Sequence, residues 1–220
     1  MKRSEARGAV AAAYRDLGRR GLIVGSAGNV SLRTRKGMVI TPSGGDPDRA
    51  GADAMVSMTL EGGVIGDGTP SSEWAMHAAI YRARPDAACV VHTHADACTA
   101  LAALNQALPA FHYMVGHFGG DDVRCAPYVT FGTPDLAALA VQALAGRSAC
   151  LLANHGMILH ARSLGDATAS AVLLETLCRQ YLMALAAGPP RLLTPVEMEA
   201  AHERFKTYGP RPAKPAKSAS

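Results

Sequence analysis

Val90-Val91-His92-Thr93-His94 ends an apolar run with two imidazoles two residues apart, and a third follows in Asn154-His155-Gly156. Side chains two apart on a strand share a face, so His92 and His94 can address one ion together. His155, in a sharp turn where Gly156 permits close approach, completes the three-nitrogen set that catalytic zinc uses with a fourth position open. Taken singly, each histidine reads as a hydrogen-bonded core residue; the joint pattern reads as a metal site. Glu73, in Pro70-Ser71-Ser72-Glu73, is either a further participant or a first-turn carboxylate complementing a helix dipole. His77, one turn on, is equally a helix-packing residue.

Two glycine-rich turns, Gly25-Ser26-Ala27-Gly28-Asn29 and Thr41-Pro42-Ser43-Gly44-Gly45, expose backbone N–H groups able to ring an anion. Ser71 and Ser72 add hydroxyls at a helix N-terminus, where amides already favour phosphate. The plainer reading is three ordinary turns. Gly28 belongs to no G-x-G-x-x-G fingerprint, which disfavours a dinucleotide site and with it any organic cofactor of that kind.

These residues need elements to hold them. Apolar spacing predicts a helix over 3–20 ending at Gly21, then a hairpin of 29–34 and 37–41. A second pairing of 54–60 with 63–66 is expected around Glu61-Gly62-Gly63. Helical period resumes at 72–84, followed by a strand over 88–94, a helix over 95–104, a strand near 123–128 and a helix over 134–145 opened by Thr133 and Pro134. Strands 150–153 and 157–161 flank Asn-His-Gly. A long helix spans 164–187, and Thr194-Pro195-Val196-Glu197 fits a capping box. Hairpins followed by alternating strands and helices imply an α/β sandwich with a mixed sheet. Residues 1–209 read as one domain, and the Pro-, Lys- and Ser-rich 210–220 as a disordered tail.

The chain has 220 residues, 49% hydrophobic and 18% charged, which suits one sizeable core. A net charge of +4 without a dense basic block gives nucleic-acid binding little support and favours an anionic small molecule. Five scattered cysteines read as reduced core residues of a cytoplasmic protein. No apolar stretch approaches the ~20 residues of a membrane span, and the N-terminus is too charged for a signal peptide.

Gly25-Ser-Ala-Gly-Asn-Val-Ser31, Ile40-Thr-Pro-Ser-Gly44, Pro70-Ser-Ser-Glu-Trp74, His92-Thr-His94 and Asn154-His-Gly156 together resemble the class II aldolase family (aldolase/adducin type). His112-Tyr-Met114, Cys125-Ala-Pro-Tyr128, Phe131-Gly-Thr133 and Phe205-Lys-Thr-Tyr-Gly209 are most similar to its L-fuculose-1-phosphate aldolase branch. Residues 116–123 depart from that branch, and Asn154 stands where it has a histidine. The resemblance implies a three-layer sandwich around a largely antiparallel sheet. It implies zinc on His92, His94 and His155, with Glu73 as a resting ligand that leaves to become the acid/base; manganese or cobalt are alternatives. It implies phosphate on Gly28, Asn29, Ser43, Gly44, Ser71 and Ser72, a substrate pocket shaped by Ser26, Phe131 and Tyr208, and Tyr113 of a neighbouring subunit as proton donor in a homotetramer.

The implied reaction is reversible cleavage of a ketose 1-phosphate to dihydroxyacetone phosphate and an aldehyde. L-Fuculose 1-phosphate and 5-methylthioribulose or 5-deoxyribulose 1-phosphate are the candidate substrates. A 4-epimerase, decarboxylase or dehydratase on the same scaffold is the alternative, and a non-catalytic adducin-like module a more distant one. Such cleavage needs an electron sink, either a Schiff-base lysine or a metal. The five lysines, Lys2, Lys36, Lys206, Lys214 and Lys217, lie near the ends or in a turn, so the metal is expected. Partly desolvated beside bound substrate, Glu73 should have a raised pKa.

Overall fold

A computed structural model describes residues 2–207. Seven strands, β1 (Gly28–Thr34), β2 (Gly37–Ile40), β3 (Val56–Met58), β4 (Cys89–Thr93), β5 (Cys125–Ala126), β6 (Ala149–Leu152) and β7 (Gly156–Ala161), form one sheet in the order β3-β2-β1-β4-β7-β6-β5. Every neighbouring pair is antiparallel except β5 and β6, which run parallel. The sheet is therefore mixed and largely antiparallel.

Period-two alternation covers both faces. Val30, Leu32, Val39, Val91, Leu151, Met157 and Leu159 point into one core, shared with α1 (Arg3–Arg19), α3 (Asp96–Ala103) and α5 (Leu164–Ala187). Met38, Ile40, Val90, Cys150, Leu152 and Ile158 point into the other, shared with α2 (Trp74–Ala83) and α4 (Pro134–Ala143). Helices, sheet and helices make the three layers. On the α2 face, however, the central strands carry polar residues at alternate positions: Asn29 and Ser31 on β1, and His92 on β4, all buried.

The caps follow the side-chain chemistry. Thr133 and Ser163 each accept from the backbone N–H three residues on, and Thr194 with Glu197 closes a capping box that opens α6 (Pro195–Phe205). The N-cap residue of helix α3 is Ala95, which has no capping oxygen. The buried Glu175 carboxylate of α5 reaches across instead, accepting from the N–H groups of Ala97 and Cys98 at 3.0 Å. No described helix is long and apolar enough to cross a membrane.

Three expectations change. The segment after Gly63 meets β3 only through a Met58–Val64 bridge and a few backbone bonds; β3 pairs chiefly with β2, which completes the sheet. Helix α2 begins at Trp74, so Glu73 is its N-cap residue, with a side chain that caps nothing. Short 3₁₀ turns at Pro47–Arg49 and Tyr113–Phe118 have no hydrophobic period and escape a reading by period. The tail from Pro210 lies outside the described residues.

Candidate metal centre

His92 sits mid-sheet, paired across to Asn29 on β1 and Ile158 on β7, with no exposed surface. Its Nδ1–H donates to the Met157 carbonyl at 2.8 Å. That bond sets the tautomer and leaves the Nε2 lone pair facing the α2 side. His94 follows one residue beyond β4, still on the same face as His92. His155 hangs in the β6–β7 turn, where Asn154 adopts a left-handed φ of 53°. Gly156 is obligatory there, because a Cβ would collide with the Thr93 carbonyl and crowd the His94 ring.

The three rings meet edge-on with centroids 4.8–4.9 Å apart, and the Nε2 atoms of His92 and His94 are 3.0 Å from each other. Glu73 closes the group: Oε2 lies 3.1 Å from His92 Nε2, and Oε1 lies 3.3 Å from His155 Nε2. All four ligand atoms fall within 4.8 Å of one another. A tetrahedral ion with Zn–N bonds of ~2.0–2.1 Å separates its nitrogens by about 3.3 Å, so the set fits a divalent metal. Glu73 Oε1 is also buried without an aligned hydrogen-bond donor, an uncompensated position that a cation would satisfy.

Burial holds the His94 ring at about 4, below the usual 6.5, and a second proton beside the His92 and His155 rings is disfavoured as well. Burial alone would raise Glu73, as expected. The electrostatic pull of the His92 ring, the close approach of His155 and His92 and the Asn29 N–H outweigh it, so the carboxyl is held well below its ordinary range. Glu73 rests as an anion among these side chains, and the expected rise belongs to the carboxyl beside bound substrate.

A cleft of about 510 Å³ opens over this group, lined by Ser26, Gly28, Ser72, Glu73, His94, Thr99, Tyr128, Phe131 and His155 among others. The Ser43-Gly44 and Ser71-Ser72 segments run side by side, tied by Ser43 N–H to Thr69 O and Ser71 N–H to Thr41 O. Ser43 and Ser72 are exposed, whereas Ser71 is buried and accepts from the Glu73 N–H. Gly44 takes a φ of 62°. Ser43, Gly44, Ser71 and Asn29 do not line the cleft itself, and the Asn29 amide is engaged with Glu73 and His77.

Phe131 stands at the cleft with 63% of its surface exposed, beside Tyr128 at 61%. Tyr113 lies elsewhere, half-exposed, stacked on His112 and tilted against Phe205. Tyr208 is outside the described residues. Lys2, Lys36 and Lys206 are exposed, and none of them lines the cleft. Motif reading missed Thr99, one helical turn past His94, because a lone threonine carries no spacing signal. It also missed the buried bonds joining His77 to Ser31 and Asn29; the available signal was two polar residues on one face of an otherwise apolar strand.

Residues 8–182 match the model of the Class II Aldolase and Adducin N-terminal domain. The chain is 47% identical over 189 residues to a 5-methylthioribulose-1-phosphate/5-deoxyribulose-1-phosphate aldolase of Rhodospirillum rubrum, covering 86% of each. It is 43% identical over 195 residues to the L-fuculose phosphate aldolase of Escherichia coli K12, covering 88% of this chain and 91% of that one. A solved L-fuculose 1-phosphate aldolase superposes with a TM-score of 0.88 at 38% identity, over 92% of this chain and 96% of the other. The His-His-His-Glu group and the sheet that carries it are therefore those of a member of the class II aldolase and adducin N-terminal domain family.

Proposed function

We propose that the protein is a metal-dependent aldehyde-lyase, with zinc as the ion and manganese or cobalt as substitutes, that reversibly cleaves a ketose 1-phosphate into dihydroxyacetone phosphate and an aldehyde. The observation that carries this is the convergence of three imidazoles and one carboxylate on a single point beneath a cleft flanked by serine-bearing turns. Its similarity to ketose 1-phosphate aldolases supports the substrate class.

His92, His94 and His155 would hold the ion, with Glu73 beside them. When bound, the ion supplies Lewis acidity, drawing electron density from the oxygens of the reacting carbons. The hydroxyls of Ser43, Ser71 and Ser72 and the backbone at Gly28, Asn29 and Gly44 would grip the phosphate, turning remote binding into orientation. Cleavage between the third and fourth carbons leaves an electron pair on the third. The hydroxyl on the fourth carbon gives up its proton as its oxygen becomes the aldehyde carbonyl, and Glu73, which must first take up a proton, delivers it to the third carbon, giving dihydroxyacetone phosphate. In the reverse direction Tyr113 of a neighbouring copy protonates the aldehyde oxygen. Its half-exposed ring, away from its own chain's cleft, suits that assignment and the homotetramer it requires.

Ser26, Phe131 and Tyr208 would shape the aldehyde end. The exposed rings of Tyr128 and Phe131 suit an apolar tail such as methylthioacetaldehyde or acetaldehyde over the hydroxylated lactaldehyde. Residues 1–209 would act as one unit in a reducing, cytoplasmic setting. Incubating zinc-loaded protein with dihydroxyacetone phosphate and these three aldehydes tests the reading directly. Formation of ketose 1-phosphate is expected, and absence of product with every aldehyde would overturn it.

A further inference from the structure

Behind Glu73, a file of buried polar side chains runs along the α2 face of the sheet. Asn29 Nδ2 donates to Glu73 Oε2 at 2.9 Å, Asn29 Oδ1 lies 2.6 Å from His77 Nε2, His77 Nδ1 lies 2.7 Å from Ser31 Oγ, and Ser31 Oγ lies 2.8 Å from the Tyr81 hydroxyl. All are buried, and Asn29, Ser31, His77 and Tyr81 stay outside the cleft.

The direction of each bond is forced. A carboxylate accepts only, so Asn29 must turn its nitrogen to Glu73 and its oxygen to His77. That oxygen needs a donor, so His77 carries its proton on Nε2. Nδ1 of the neutral ring is then an acceptor, which obliges the Ser31 hydroxyl to donate to it. The oxygen of Ser31 in turn accepts from the Tyr81 hydroxyl. Four hydrogen bonds thus point one way, from Tyr81 to Glu73. An Asn29 amide without this backing is free to rotate its oxygen toward the carboxylate, a repulsive and poorly satisfied arrangement in a dry interior.

We propose that His77, oriented by Ser31 and Tyr81, is a positioning residue that locks the Asn29 amide with its nitrogen toward Glu73 and thereby sets the carboxylate against the three histidine nitrogens. This rests on the role given to Glu73 above. Partners one step removed from a metal ligand commonly change metal affinity or activity by about 10–100-fold when removed.

The test compares full-length wild type, His77→Leu, His77→Gln and Ser31→Ala for zinc dissociation constant by chelator competition, and for kcat and KM per bound zinc. His77→Leu removes the donor to Asn29; its zinc dissociation constant is expected to rise, and its kcat to fall, by about tenfold or more, with KM within about twofold. His77→Gln keeps an N–H near the Nε2 position and is expected to recover both values to within about threefold of wild type. Wild-type zinc affinity and kcat in His77→Leu would overturn the proposal, as would a His77→Gln protein with a wild-type melting temperature that is as impaired as the Leu variant. Should His77→Leu not fold, Ser31→Ala decides: a kcat lowered about threefold or more at unchanged KM supports the proposal, and unchanged kcat overturns it. A wild type that binds zinc yet makes no ketose phosphate refutes the proposed reaction, while the zinc affinities still read the positioning role.

Discussion

Glu73→Gln exchanges a carboxylate oxygen for an N–H and takes the proton carrier away while leaving the three imidazoles in place. Zinc content is expected to persist while kcat drops by about 100-fold or more, the lower end of what general acid–base catalysis contributes; elemental analysis beside steady-state rates checks both. Ser71→Ala/Ser72→Ala removes hydroxyls from the anion side and should raise KM for phosphorylated substrates about tenfold, with little change for non-phosphorylated analogues. His94 at about 4 and His77 at about 3, the latter lowered by burial and then by the neighbouring His92 ring, both titrate below the ordinary 6.5. A ring kept neutral by the fold stabilises fully above the unfolded value, and that stability is lost as pH falls through the folded one. The melting temperature of the metal-free protein should therefore decline from pH 6.5 toward pH 4, and a flat profile across that window would contradict the burial argument. At this scale the convergence of His92, His94, His155 and Glu73 was legible because His-x-His on a strand has a geometric meaning. The Asn29–His77–Ser31–Tyr81 file was not, since hydrogen bonds between residues far apart in the chain leave no local spacing.

Elements were legible where a period or a cap announced them. Thr133-Pro134 and Thr194-Pro195-Val-Glu197 began their helices at the residues their side chains indicate. The pairing of β3 with β2 was hidden, because a three-residue strand joined to β2 by a long connection has no turn signal to name its partner. Helix α3 illustrates a cap supplied from a distance: Glu175 takes over the N-terminal amides that Ala95 cannot reach. Glu175→Ala leaves those buried N–H groups without a partner and should cost about 2–4 kcal/mol, in keeping with the loss of charge-assisted bonds of ~1.5–3 kcal/mol. Urea unfolding of the two proteins measures it. Since α3 starts two residues after His94, weaker zinc binding should accompany the loss.

For the whole molecule, the three-layer architecture and mixed sheet follow from the element order, whereas the association of copies depends on surfaces that no period describes. Tyr113→Phe should leave zinc binding intact and slow aldehyde addition about 100-fold, as the loss of one proton donor does. Mixing this variant with Glu73→Gln in the same assembly should restore part of the activity if the two residues act across a subunit boundary, and a mixture with no gain over the separate variants would refute that arrangement. Stripping the metal with a chelator should abolish turnover, and adding zinc back should recover it.

The proposed ligands come from three separate stretches, the α2 start, the end of β4 and the β6–β7 turn, and only the finished sheet assembles them. An unfolded chain offers at most the His-x-His pair, so the ion greatly prefers the folded form. Once free zinc exceeds its dissociation constant, each further tenfold rise should add about 1.4 kcal/mol of stability. Thermal midpoint thereby becomes a gauge of metal supply, readable without any substrate.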